Sequence, residues 1–289
     1  MAKTKRFKDT NPFIDSRRLF EFEGESFPVN QPEFKGKKIS GKQKDRICYI
    51  RERNIRMLKN EFVFKNPLRQ MGYKSDDILL PGEFGAVMAR AGVGKTAFLV
   101  QLALHSMLRE KNVLHISLNN PVKKVSLSYI EVFNRITTQY NIKQTGQLWD
   151  IGLPHRFIMT FRVEGFSVPK LEERLTDLIE QDIFKPAMMI IDNIPFDDSV
   201  RQDLNELKKL ALRQGMRVWF SVRTHRHEEP GPNGLPVQLS EVAELFEVAI
   251  ELIPKGKQIQ IKAFKGPGSE ADFPDLMLDP ATMLITHKT

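Results

Sequence analysis

The chain has 289 residues, 41% of them hydrophobic and 28% charged, the balance of a folded globular protein rather than a disordered or fibrous one. No apolar run approaches the roughly 18 residues that a membrane-spanning helix needs. The opening MAKTKRFKDTNPF carries charge with no apolar stretch behind it, unlike a secretory signal. Cys48 is the only cysteine, which excludes an intramolecular disulfide framework and a thiolate-rich zinc site. These features predict a cytoplasmic protein with no membrane partner.

The net charge of +8 is unevenly placed. Residues 1–60 hold 16 of the 44 Lys+Arg and 8 of the 36 Asp+Glu, and the remaining 229 residues carry 28 of each. A neutral body with a basic arm predicts an acidic partner for the arm. The first 40 residues show no hydrophobic period and mix Phe7, Phe13, Phe20, Phe22, Phe27 and Phe34 with prolines, so they read as an extended arm. Basic residues with interleaved aromatics suit phosphate contact and base stacking, and equally suit Phe side chains docking on an adjacent subunit. Residues 42–63 read as a basic amphipathic helix carrying Ile47, Ile50, Leu58 and Phe62 on one side. Cys48 lies in it and is read as a half-buried structural thiol. The arm and this helix, residues 1–74, form one segment, and residues 75–289 the body.

In the body short apolar runs alternate with amphipathic stretches. Strands are predicted at 84–89, 112–118, 156–162, 187–193, 217–222, 248–253 and 258–264, and helices at 95–109, 124–139, 168–182, 199–214 and 239–246. That alternation implies an α/β fold whose mainly parallel sheet lies between helices.

The strongest motif is Ala89-Arg90-Ala91-Gly92-Val93-Gly94-Lys95-Thr96, with Ala97 next, between the first strand and the first long helix. It fits the P-loop (Walker A) pattern with Ala in place of the first glycine. Gly92 and Gly94 let backbone N–H groups converge on phosphate oxygens. Lys95 supplies charge to the β- and γ-phosphates, Thr96 a hydroxyl to Mg²⁺, and the helix N-terminus its dipole. Met188-Met189-Ile190-Ile191-Asp192 is an apolar strand ending in a carboxylate, the Walker B arrangement that can hold Mg²⁺ opposite Thr96.

With these motifs residues 75–285 resemble the RecA-like P-loop ATPases, particularly their KaiC-like and DnaB-helicase-like branches. The resemblance implies ATP and Mg²⁺ as cofactors, a homo-oligomer, and a strand between the P-loop strand and the Asp strand, an interval that NVLHISL and residues 156–162 fill along the chain. It also implies a terminal hairpin whose basic residues reach the neighbouring subunit's nucleotide, here Gln258–Pro267 with Lys262 and Lys265. GTPases are disfavoured because the chain has no Asn-Lys-x-Asp motif. A small-molecule kinase shares the P-loop but would want an arginine-rich lid that is not evident.

The departures bear on activity. Where the family places a catalytic Glu after the second strand, this chain has Asn119-Asn120, and Asn193 follows Asp192. An amide can position water but cannot accept its proton. ATP binding with slow hydrolysis is therefore expected. Asp197 and Asp198 read as capping rather than as a substitute base, with Ser199 and Gln202 forming a capping box. In the γ-phosphate sensor region the chain reads Ser221-Val222-Arg223-Thr224-His225, a loose match. His225 and His227 alternate without a third ligand and read as solvent-facing rather than metal-binding. Arg223 and Arg226, beside the loop at 228–236, could touch phosphate or nucleic acid. Met188 and Met189 are core filler.

Overall fold

The computed structural model describes residues 66–73, 77–197, 200–225, 228–229, 231, 234–266 and 276–287. The arm, the helix expected over 42–63 with Cys48, and Asp198, Ser199, Arg226 and His227 lie outside them. Contacts gather the chain into two units, Met1–Lys38 and Ile39–Thr289, and everything described below belongs to the second.

Nine strands form one sheet in the order β3-β2-β4-β5-β1-β6-β7-β8-β9. Strands β1 (Phe84–Ala89), β2 (Val113–Ser117), β3 (Arg156–Thr160), β4 (Met188–Asp192), β5 (Arg217–Arg223) and β6 (Val248–Lys255) pair in parallel. β7 (Gln258–Lys265), β8 (Leu276–Leu278) and β9 (Ile285–His287) continue antiparallel from β6. Parallel strands need long crossovers, and amphipathic helices supply them. The strand between β1 and β4 is β5. NVLHISL and residues 156–162, which fill the interval along the chain, stand beyond β4, because crossovers rather than chain order set adjacency in such a sheet.

Helices cover both faces. On one lie α1 (Pro67–Gln70), α2 (Lys95–Leu108), α3 (Val122–Gln139) and α4 (Thr145–Gly152); on the other lie α5 (Val168–Glu180), α6 (Val200–Gln214) and α7 (Val237–Ser240). The pleat of β4 shows how one strand serves two cores: Met188 and Ile190 enter the first, Met189 and Ile191 the second. α2 is apolar nearly all round and is buried on most of its surface, whereas α6 buries only Val200, Leu204, Leu207, Leu210 and Ala211. Gly85 is needed where it stands: a Cβ there would come 2.7 Å from the Trp219 ring on β5. Leu68, Met71 and Tyr73, just ahead of the body's expected start, are buried in the first core.

Three elements differ from expectation. The stretch at 239–246 is not one helix but α7 and a 3-10 turn, Ala243–Leu245. α4 was not expected from its sequence TGQLWDIG; it is held by Leu148 and by Trp149 against Phe133, ring centroids 5.1 Å apart. β8 and β9 have three residues each, too few for alternation to register. Among the described residues no helix is long and apolar enough to cross a membrane.

Candidate nucleotide site

The site is built where β1, β5 and β4, adjacent in that order, end at the same edge of the sheet. β1 terminates at Ala89, buried, and the chain turns through Arg90, Ala91 and Gly92, all exposed, into Val93, Gly94 and the first turn of α2, which holds Lys95, Thr96 and Ala97. Gly92 and Gly94 adopt φ of 79° and 111°, conformations that strain any residue with a Cβ. Gly94 has a second constraint, since a Cβ there would sit 2.7 Å from the Met283 sulfur.

Lys95 is 8% exposed, and its Nζ donates to the carbonyls of Ala89 at 2.9 Å and Arg90 at 3.1 Å. Burial lowers its pKa, Asp192 opposes that shift, and the Arg223 guanidinium adds to it. Asp192, fully buried at the end of β4, accepts from the Thr96 hydroxyl at 2.9 Å on Oδ2 and from the Ser221 hydroxyl at 2.5 Å on Oδ1. Ser221 also accepts from the Asn193 backbone N–H at 2.9 Å, and Asn193 turns the chain away from β4 with φ of 69°. A buried carboxylate needs such donors, and here they set its orientation. The structure thus joins Thr96 and Asp192, distant in sequence, and adds Ser221 as their third partner. A carboxylate beside a Thr hydroxyl at the start of a helix is a donor set that fits Mg²⁺.

β2 lies on the other side of β4 and brings the two asparagines to the same edge. The Leu118 N–H donates to the Asp192 carbonyl at 3.2 Å, and the Asn120 N–H to the Ser117 hydroxyl at 3.0 Å. Asn119 is exposed beside Asp192's strand. Asp197 is also exposed, and its carbonyl accepts from the Val200 N–H at 3.0 Å, at the start of α6.

Deeper on the same face is a second polar group. His115, fully buried on β2, hydrogen-bonds Tyr129 of α3 through Nδ1 at 3.1 Å, and its Nε2 has no partner among the described residues. Burial pushes the His115 pKa down to about 4, with Asp192 opposing and Arg156 assisting. Arg156 lies over the Tyr129 ring at 4.9 Å and the Trp149 ring at 5.8 Å.

The terminal strands place the two lysines differently from each other. Lys262 faces Glu251 across the β6–β7 pair, exposed, with its Nζ 4.1 Å from the centre of the Phe264 ring. Lys265 pairs with Ala249, which is level with Ala86 in the middle of β1, and its Nζ donates to the carbonyls of Phe246 and Ala243 in its own chain. Lys265 therefore points back into the body, because β7 runs away from the phosphate edge. Since Met88 is level with Glu251, Ile253, Pro254 and Lys255 continue β6 beyond the end of β1, a projection of about 10 Å. Lys255 and Lys257, both exposed at the hairpin tip, reach furthest past the phosphate edge. The strand periodicity drew attention to Lys262 and Lys265, and only the register shows the tip.

The turn between β8 and β9 also reaches this site, which nothing in its sequence announced. Asp279 accepts from the Ala281 N–H and the Thr282 hydroxyl, and Gln101 of α2, buried, donates to the Met283 carbonyl at 2.8 Å. Met283 is thereby seated on Gly94. Among the described residues no group of His, Cys, Asp and Glu has metal-site composition.

Comparison with known proteins agrees with this architecture. The solved ATPase domain of a DnaB-like helicase matches over 73% of this chain and 86% of that one, with a TM-score of 0.53 and 16% identity. The chain has a RecA-like P-loop fold. No family model matches it, and no curated protein matches it by sequence.

Proposed function

We propose that this protein is an ATP·Mg²⁺-binding, oligomerising RecA-like P-loop protein with slow hydrolysis, acting on or near nucleic acid. The observation that carries the reading is the buried Asp192 held by Thr96 and Ser221 directly beneath Lys95 and the glycine turn. In it Gly92, Gly94 and the N-terminus of α2 receive phosphate, Lys95 exchanges its two loop carbonyls for phosphate oxygens, and Thr96 with Asp192 hold Mg²⁺. When bound, the ion would neutralise phosphate charge. Asn119, Asn120 and Asn193 orient water but cannot take its proton, so turnover is slow. Nucleic-acid contact falls to the +8 of residues 1–60, and Lys262 is the lysine offered to a neighbouring subunit's nucleotide.

A second reading is favoured by those same asparagines: an ATP-responsive switch that binds a protein partner and does not turn over. Calorimetry of the full chain with ATP·Mg²⁺, alone and with single-stranded DNA, tests both. Lys95→Ala is expected to abolish measurable ATP binding. DNA that stimulates turnover and binds with a steep salt dependence supports the first reading; nucleotide-dependent assembly indifferent to DNA supports the second. Unchanged ATP affinity in Lys95→Ala overturns the site.

A further inference from the structure

Arg223 is the last residue of β5, the strand between the P-loop strand and the Asp192 strand, and is level with Ala89, where the P-loop begins. The Thr224 N–H donates to the Ala89 carbonyl at 3.0 Å, so the backbone there is fixed to the P-loop strand. Side chains two apart on a strand share a face. Ser221 shows which face this is, because its hydroxyl holds Asp192, while Val222 between them is buried in the opposite core. Arg223 is exposed and has no hydrogen-bond or ion-pair partner among the described residues. Its electrostatic neighbour is another cation, Lys95.

Two cations set together at one mouth repel each other, and a fold keeps them there at a cost unless an anion separates them. The nearby carboxylate, Asp192, is already engaged by two hydroxyls. Arg90 does not compensate, being a further cation whose electrostatic partner is Glu251. The arrangement is short of negative charge by more than one unit on the side that the P-loop opens toward. A nucleoside triphosphate brings one more charge than a diphosphate, carried on the phosphoryl group furthest from the nucleoside. A guanidinium fork is suited to two of its oxygens.

We propose that Arg223 contacts the terminal phosphate of a bound nucleoside triphosphate from within the same chain, so that a single subunit distinguishes ATP from ADP. This rests on the nucleotide-site reading above and deepens it. It gives discrimination without catalysis, since a guanidinium stabilises phosphate charge but cannot serve as a base. It also removes the need for a neighbouring subunit's lysine to read the third phosphate.

The test is titration of the full chain, with Mg²⁺, by ADP and by the β,γ-imido analogue of ATP, at protein concentrations where it sediments as a monomer. Wild type is expected to bind the imido analogue about tenfold or more tighter than ADP, the range of a charge-assisted hydrogen bond. Arg223→Ala should lose that preference and bind ADP within about twofold of wild type, and Arg223→Lys should recover part of it. Retained ADP binding is also the control for folding. Lys95→Ala, which should lose both nucleotides, tests the underlying site separately. If Arg223→Ala keeps the wild-type preference, or weakens both nucleotides equally, the assignment is wrong. If it leaves both untouched and instead weakens single-stranded DNA, Arg223 is a nucleic-acid contact and the proposal is overturned. Wild type that binds no nucleotide removes the site and this proposal together.

Discussion

The two faces of the central sheet are made by the same strands, yet they differ in kind. The face under α5 and α6 is apolar without interruption: Leu114, Ile116, Met189, Ile191, Val218, Phe220 and the helix leucines meet there. The face under α2, α3 and α4 carries a polar row through its middle, with His115, Ser117, Asp192 and Ser221 buried side by side. Burying such groups costs free energy unless each finds a partner. Most do, and the partners are one another together with Thr96 and Tyr129. One face thus supplies cohesion and the other holds a carboxylate ready at the strand ends. The strand periodicity is the same on both, so the difference lies in which residues occupy alternate positions.

The largest expected effect on this contrast comes from the apolar face. Leu204 of α6 is fully buried in the second core. Leu204→Ala should lower unfolding free energy by about 2–5 kcal/mol, measured by urea denaturation, with nucleotide affinity of the folded protein unchanged. A loss of affinity comparable with that of Lys95→Ala would show that the two faces are not independent.

The polar face should respond to acid. His115 has its folded pKa pushed down to about 4 from an ordinary 6.5, and Tyr129, Arg156 and Asp192 are the titratable groups facing it. Below pH 6.5 the unfolded chain takes up a proton that the folded one refuses, so stability falls as the pH drops from 6.5 toward 4 and levels off below that. The loss from this one group is on the order of 3 kcal/mol. Denaturant unfolding between pH 4 and 7.5 should therefore show a shallower acid slope in His115→Leu than in wild type, whatever the variant's absolute stability. Parallel slopes would mean that His115 does not carry the pH response.

The smallest expected effect lies on the outer surface of the apolar side. Arg213 and Glu172 bridge α6 and α5 at 2.5 Å with both side chains about half exposed. Solvent screening limits such a pair, so Arg213→Ala should change stability by about 0–1 kcal/mol in thermal unfolding. A larger loss would assign cohesion to the helix surface rather than to the leucines beneath it.

Much of this was legible from residue order. The run from Ala89 to Thr96 is a local motif: its glycines, lysine and threonine are consecutive, and the strand and helix around it have strong periods. Asp192 was legible because an apolar run ends on a carboxylate. The fold class followed from the alternation of elements, and the parallel strands were found within a few residues of their ends. The helix expected at 239–246 failed because an apolar count in a short window does not distinguish a helix from two turns, and α4 was missed because tertiary packing of Leu148 and Trp149, not its own composition, holds it.

What the sequence by itself determined is therefore the chemistry of the phosphate loop, its lysine, threonine and distant aspartate, and the basic charge of residues 1–60. The tertiary structure alone decided which residues meet them. Ser221 reaches Asp192, and Arg223 stands level with Ala89, only because β5 inserts between β1 and β4. Met283 reaches Gly94 only because the sheet continues to β9 and Gln101 holds the turn. Lys265 is turned inward, and Lys255 and Lys257 outward, by the direction of one antiparallel strand. The physical reason is common to all of these. A motif is a set of neighbours along the backbone, fixed by covalent geometry, whereas strand order and register are settled by the burial of whole faces, which no short stretch of residues encodes.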